Sequence, residues 1–155
     1  MKRYLIILLF ASVLLLSACS WTSNFVLLNE SDQPIKVQYK IKNSSSEPLH
    51  LTGEPAKTAE ANLRNGDKQW RLLKSGEYQL DREARTITID VMPREALRVM
   101  YITNYGGHDD ASDANKFVID EIIVKGAHGE AKYQGEQIRK HFTEASETLY
   151  VLTYK

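Results

Sequence analysis

Ile35, Val37, Tyr39 and Ile41 alternate with Lys36, Gln38, Lys40 and Lys42. Successive side chains of an extended chain point to opposite faces, so this stretch can bury its apolar half only as a strand. A helix would scatter the same four residues around its circumference. Ile87, Ile89 and Val91 alternate with Thr86, Thr88 and Asp90 in the same way. Pro93 ends that run, because it has no N–H to give to a ladder.

Other β-rich runs fall at residues 25–28, 70–73, 78–80, 97–103, 117–124, 131–134 and 149–154, separated by polar turns. The turn between 25–28 and 35–41 reads Asn29-Glu30-Ser31-Asp32-Gln33-Pro34, and the two runs are expected to form a hairpin. Residues 149–154 are apolar on both faces, as expected of an interior strand. Short helical turns fit only 54–66, confined by Pro55 and Gly66, and 137–142. About seven or eight short strands without long helices predict an all-β fold, an antiparallel β-sandwich of immunoglobulin-like architecture, with a closed barrel as the alternative. The chain has a single cysteine, so the disulfide of antibody domains is excluded.

The N-terminal segment is of another kind. Lys2 and Arg3 precede a twelve-residue apolar run, Leu5 to Leu16. About 20 apolar residues are needed to span a bilayer, so this run suits an export signal better than an anchor. It ends in Leu16-Ser17-Ala18-Cys19. That tetrad resembles the lipobox of bacterial lipoproteins. The resemblance covers residues 1–19 alone. It implies cleavage before Cys19, a diacylglyceryl thioether on its sulfur and an acylated amino group, palmitate being a typical chain. One acyl chain holds a protein only marginally, whereas two or three make attachment lasting. Ser20 follows the cysteine, where Asp would resemble an inner-membrane retention signal. The implied location is the cell envelope, at the periplasmic side of the outer membrane in a Gram-negative source.

The expected organisation is a cleaved signal peptide at 1–18, a lipidated tether at 19–24 and a single sandwich domain at 25–155. Five tether residues, Ser20 to Asn24, reach about 17 Å when extended, so the domain would sit against the membrane. The 20 basic and 20 acidic side chains balance, and losing Lys2 and Arg3 leaves an acidic excess of two. Nothing in that balance favours nucleic acid or electrostatic membrane binding, so lipid on Cys19 would be the membrane contact.

Motifs for chemistry are scarce. The sequence contains no His-Glu-x-x-His, Gly-x-Ser-x-Gly, Ser-x-x-Lys, Walker loop or Gly-x-Gly-x-x-Gly. The expectation is therefore not an enzyme, with no catalytic residue, no cofactor and no metal site assigned. The longest polar loop, 104–115, gathers His108, Asp109, Asp110, Asp113 and Asn115 behind Gly106-Gly107. Oxygen donors so clustered suit a hard cation, but their spacing is not that of an EF-hand. The loop is the candidate ligand or partner site, and a solvated loop is the plainer reading. His50, His128 and His141 are scattered, and Tyr39, Trp70, Tyr101, Phe117, Phe142, Tyr150 and Tyr154 fit core packing better than a sugar platform. Trp21, two residues from Cys19, could rest at headgroup level.

Three functions fit this reading. The first is a lipid-anchored interaction or assembly module that docks on an envelope protein. The second is a binding module for a small ligand, cation or glycan through 104–115. The third, least favoured, is an envelope enzyme.

Overall fold

The computed structural model describes residues 20–42, 55–64, 69–105 and 116–155. They form two sheets packed face to face, a β-sandwich as expected. In chain order the strands are β1 (Ser20–Asn29), β2 (Ile35–Ile41), β3 (Ala56–Ala59), β4 (Arg71–Leu72), β5 (Gln79–Asp81), β6 (Thr86–Val91), β7 (Glu95–Tyr105), β8 (Ile119–Gly126), β9 (Gly129–Gln134), β10 (Thr143–Ser146) and β11 (Leu149–Tyr154). A five-residue helix, α1 (Glu60–Arg64), follows β3, and a 3₁₀ helix spans Gly135–His141. The six-stranded sheet runs β10-β11-β1-β7-β3-β4 and the five-stranded sheet β5-β6-β2-β8-β9.

The strand count exceeds seven or eight chiefly because β3 and β10, of four residues each, gave no strand signal. Such pieces are too short to display a period. β3 pairs with the longer β7 and β10 with β11, while β5 pairs with β6 and β4 with β3. Among the described residues every pair is antiparallel except β1 with β11, which run parallel from Asn24↔Leu149 to Asn29↔Tyr154. β11 lies between β10 and β1, so the expected interior position holds.

The core forms where the inner faces meet. The six-stranded sheet contributes Phe25, Leu27, Leu97, Met100, Ile102, Tyr150 and Leu152, and the five-stranded sheet Ile35, Val37, Tyr39, Ile41, Ile89, Ile122 and Val124. Phe25 anchors one end of it, stacked on Tyr150 at 4.9 Å and edge-on to Phe117 and Phe142 at 5.1 and 5.5 Å.

Two expectations require correction. β1 and β2 are not a hairpin, because they lie in different sheets. β1 buries both faces at Phe25, Val26, Leu27 and Leu28, whereas β2 alternates buried with exposed. Side by side in one sheet they would set Val26 and Leu28 beside the wet lysines of β2. Residues 30–34 instead form a corner that carries the chain across the sandwich. The strand order also differs from an immunoglobulin domain, whose first two strands share a sheet.

The second correction is the tether. β1 begins at Ser20, paired with Tyr105 of β7, so residues 20–24 belong to the sheet and not to a linker. Polar Thr22, Ser23 and Asn24 gave no strand pattern, and the long partner β7 recruits them.

Candidate functional site

A sandwich has two outer faces, and here they differ in chemistry. The outer face of the five-stranded sheet carries Lys36, Gln38, Lys40, Thr88, Asp90, Glu121, Lys125, Glu130 and Lys132. Its charges pair across strands: Lys36 with Asp90 at 3.8 Å, Lys125 with Glu130 at 3.0 Å and Lys132 with Glu121 at 2.7 Å. This is a solvated face.

The outer face of the six-stranded sheet is apolar. Val26 and Leu28 of β1, Ala96 of β7, Leu149 of β11 and Leu63 of α1 form a second buried cluster, with Trp70 and Val151 packed against it. These are the alternate residues of β1 and β11, those that do not face the main core. Beside them the Arg98 guanidinium lies 5.2 Å from the Trp70 ring and 5.0 Å from that of Tyr101, a cation–π arrangement. Burial pulls the Arg98 pKa below the usual arginine value, while Tyr101 and then Tyr39 act in the opposite sense.

A groove of about 710 Å³ opens on this face between α1 and the β10–β11 hairpin. Leu28, Leu63, Leu149 and Val151 make its floor and sides, and Thr143, Ser146 and Thr153 add hydroxyls. Glu30, Glu60 and Glu144 supply carboxylates, and among the described lining residues there is no lysine, arginine, histidine or cysteine. Glu60 meets Arg94 at 3.2 Å and Glu30 faces Lys155 at 3.9 Å, so two of the three carboxylates are already engaged and the lining offers mainly hydroxyls and apolar surface.

The α1 wall is fixed by polar contacts from the corner between β6 and β7. The Glu60 N–H donates to the Arg94 carbonyl at 2.9 Å, and Arg94 Nη1 meets Glu60 Oε2 at 3.2 Å. Arg94 has a φ of 59°, a left-handed value that the turn after Pro93 imposes on a non-glycine residue. Lys57, nearly buried, donates from Nζ to the Asp90 carbonyl and to Glu95 Oε2, the latter at 2.7 Å. Glu95 Oε2 also accepts the Met92 N–H at 3.1 Å.

The residues singled out from the sequence are placed as follows. Cys19, His108, Asp109, Asp110, Asp113 and Asn115 lie outside the described residues. Asn104 and Tyr105 of the 104–115 stretch belong to β7. Among the described residues no three His, Cys, Asp or Glu side chains converge as metal ligands, and no helix is long and apolar enough to cross a membrane. His128 and His141 are exposed, His141 lying edge-on to Tyr133 at 4.9 Å. Tyr39, Phe117, Phe142 and Tyr150 are core residues, whereas Trp70 and Tyr101 flank Arg98 on the outer face. Sequence reasoning missed the groove. Its signal was the both-sided apolarity of 25–28 and 149–152, since a sandwich strand apolar on both sides must also cover its outward side.

No family model, no curated protein and no solved structure matches this chain.

Proposed function

We propose that this chain is a lipid-anchored cell-envelope protein whose sandwich is an interaction or assembly module, meeting an envelope protein with the outer face of its six-stranded sheet. The contrast between the two outer faces carries this reading. One face is ion-paired and wet; the other holds an apolar cluster and a groove. The cluster residues are themselves buried, and the open surface beside them is the groove, whose apolar lining edged by polar groups is of the kind found in binding clefts.

The anchoring half of the reading rests on Leu16-Ser17-Ala18-Cys19. With Ser20 already in β1, a lipidated Cys19 would hold the sheet at the bilayer without a spacer. Ser20 in place of Asp favours the outer membrane, facing the periplasm, in a Gram-negative envelope. The test is twofold. Mass spectrometry of the membrane fraction should find acylated Cys19 at the N-terminus, and Cys19→Ser should release the protein into the aqueous extract. Chemical crosslinking in intact cells should then join the wild-type protein to an envelope protein. An unmodified thiol defeats the anchor, and the absence of any protein adduct defeats the module.

A second reading has one observation in its favour. The groove volume lies within the range of small-molecule sites, about 300–1,000 Å³. A small ligand, cation or glycan bound there or by 104–115 would raise the melting temperature, so a thermal shift with calcium or a sugar panel would move this reading ahead.

A further inference from the structure

We propose that Arg98, on the outer face of the six-stranded sheet, is the centre of a binding site for a small organic acid: a single carboxylate on a compact apolar or ring-bearing body. The site is separate from the groove and does not rest on the module reading. A row of outward residues crosses the sheet at this level. It runs through Leu72 of β4, Ala56 of β3, Arg98 of β7, Val26 of β1 and Val151 of β11, each the register partner of the next. Arg98 is the one charged side chain in that row. Its outward neighbours along β7 are Ala96 and Tyr101, so no carboxylate stands next to it on its own strand.

A β-bulge builds the site. Phe25 pairs with Met100 and Val26 with Arg98, so Val99 is an extra residue on β7. In a regular strand residues 98 and 101 would point to opposite faces, and the bulge brings them to the same one. The guanidinium is then flanked by the Tyr101 and Trp70 rings. It is half-buried and, among the described residues, meets no carboxylate and no hydrogen-bond acceptor. Charges taken out of water are ordinarily paired. The rings stabilise the positive charge but give its N–H fork no oxygen to meet. The fold thus holds a cation in place and leaves its counter-ion to a ligand.

Charge and surroundings select that ligand. A guanidinium presents parallel N–H groups that fit a carboxylate or a phosphate. One cation in an otherwise uncharged row balances a monoanion and leaves half of a phosphate dianion uncompensated in an apolar setting. The open apolar surface beside the cation is Leu72, 51% exposed, together with the half-buried Trp70 and Tyr101, whereas Val26 is sealed. That surface takes a compact apolar body next to the carboxylate and offers no track for a long chain.

The experiment follows the Arg98 Nε–H and Trp70 indole N–H signals by nuclear magnetic resonance in the full chain. The chain is titrated with 3-phenylpropionate, with its neutral methyl ester and with inorganic phosphate. The expected result is a saturable shift of both signals with the acid, and binding at least tenfold weaker for the ester and for phosphate. Arg98→Lys keeps the charge but lacks the planar fork, so it should weaken acid binding at least fivefold with the melting temperature unchanged. If that variant fails to fold, the acid-against-ester comparison in the wild-type chain decides alone. Equal binding of the ester would show an apolar patch, and equal binding of phosphate an unselective anion site; either overturns the proposal. So does undiminished affinity in a folded Arg98→Lys, or no saturation at about 10 mM acid. None of these outcomes touches the module reading, which is decided by crosslinking.

Discussion

The Asn29 carboxamide donates to the backbone carbonyl of Val91 at 3.1 Å, joining residues 62 apart in the chain. Each ends a strand in a different sheet, at the point where the chain turns across the sandwich. Asn29 Nδ2 also donates to the Gln33 carbonyl at 2.8 Å, and its Oδ1 accepts from the Ser31 N–H and hydroxyl at 3.1 and 2.6 Å. Its own carbonyl accepts the Arg94 N–H at 2.9 Å. One fully buried residue thus ties both corners, its side chain holding 30–34 and the end of β6 at Val91 and its backbone carbonyl holding Arg94.

Asn29→Ala should therefore cost about 3 kcal/mol, because it strands buried partners at both corners. Asn29→Asp should be damaging too, since it keeps the acceptor and loses both donors. Urea unfolding is the measurement. A loss below about 1 kcal/mol for the alanine variant would show that the corners hold without the clamp.

Lys57 and Glu95 should behave as a coupled pair. Their side chains are 10% and 23% exposed, so neither charge is fully hydrated. A double-mutant cycle of Lys57→Met and Glu95→Gln is expected to give a coupling of about 1–2 kcal/mol. Additive single losses would mean that the Asp90 carbonyl, not Glu95, is the partner that matters.

Alkaline pH should unfold the domain through Tyr39. Burial, and secondarily Tyr78, raise its phenol above the ordinary 10.0, with Arg98 opposing. The folded value is the higher one, so the contribution is complete below the unfolded pKa of about 10 and is lost as pH climbs beyond it. Phenolate absorbance from Tyr39 should appear only together with loss of structure. Tyr39→Phe should flatten the decline in stability above that pH by close to one proton, as read from unfolding at stepped pH.

Deleting residues 148–155 should abolish cooperative folding. The deletion removes β11, which pairs with both β1 and β10 and buries Leu149, Tyr150 and Leu152. The shortened chain should lack near-ultraviolet circular dichroism and a sigmoidal melt. A soluble product that melts cooperatively would place the stabilising interactions elsewhere.

How much of this was legible beforehand depended on local pattern. β2 and β6 were plain because each wets one face, leaving the period of two visible in Ile35–Ile41 and Thr86–Val91. The turn at Asn29–Pro34 was also plain, but a turn signal does not say whether the chain stays in its sheet. That choice follows from which faces each strand must bury, and β1 buries both. β3 and β10 were invisible because non-local pairing alone makes them strands, whereas β4 and β5 overlap the runs 70–73 and 78–80. The groove joins Leu28, Leu63 and Leu149, which share no local motif and meet only through the β1–β11 pairing and the packing of α1. The 104–115 loop, the strongest local cluster, contributes to the described structure only the end of β7.

The start of β1 has a mechanical consequence. From Ser20 onward the strand is flanked by β7, and from Asn24 by parallel β11 as well. Ladder hydrogen bonds lie across the strand direction. Tension applied through residue 19 along β1 would load both ladders in shear, many bonds at once, and could not peel them one by one. A protein hung by that end would resist being unravelled by forces on its anchorage, much as a riveted lap joint outlasts a seam pulled open from its edge.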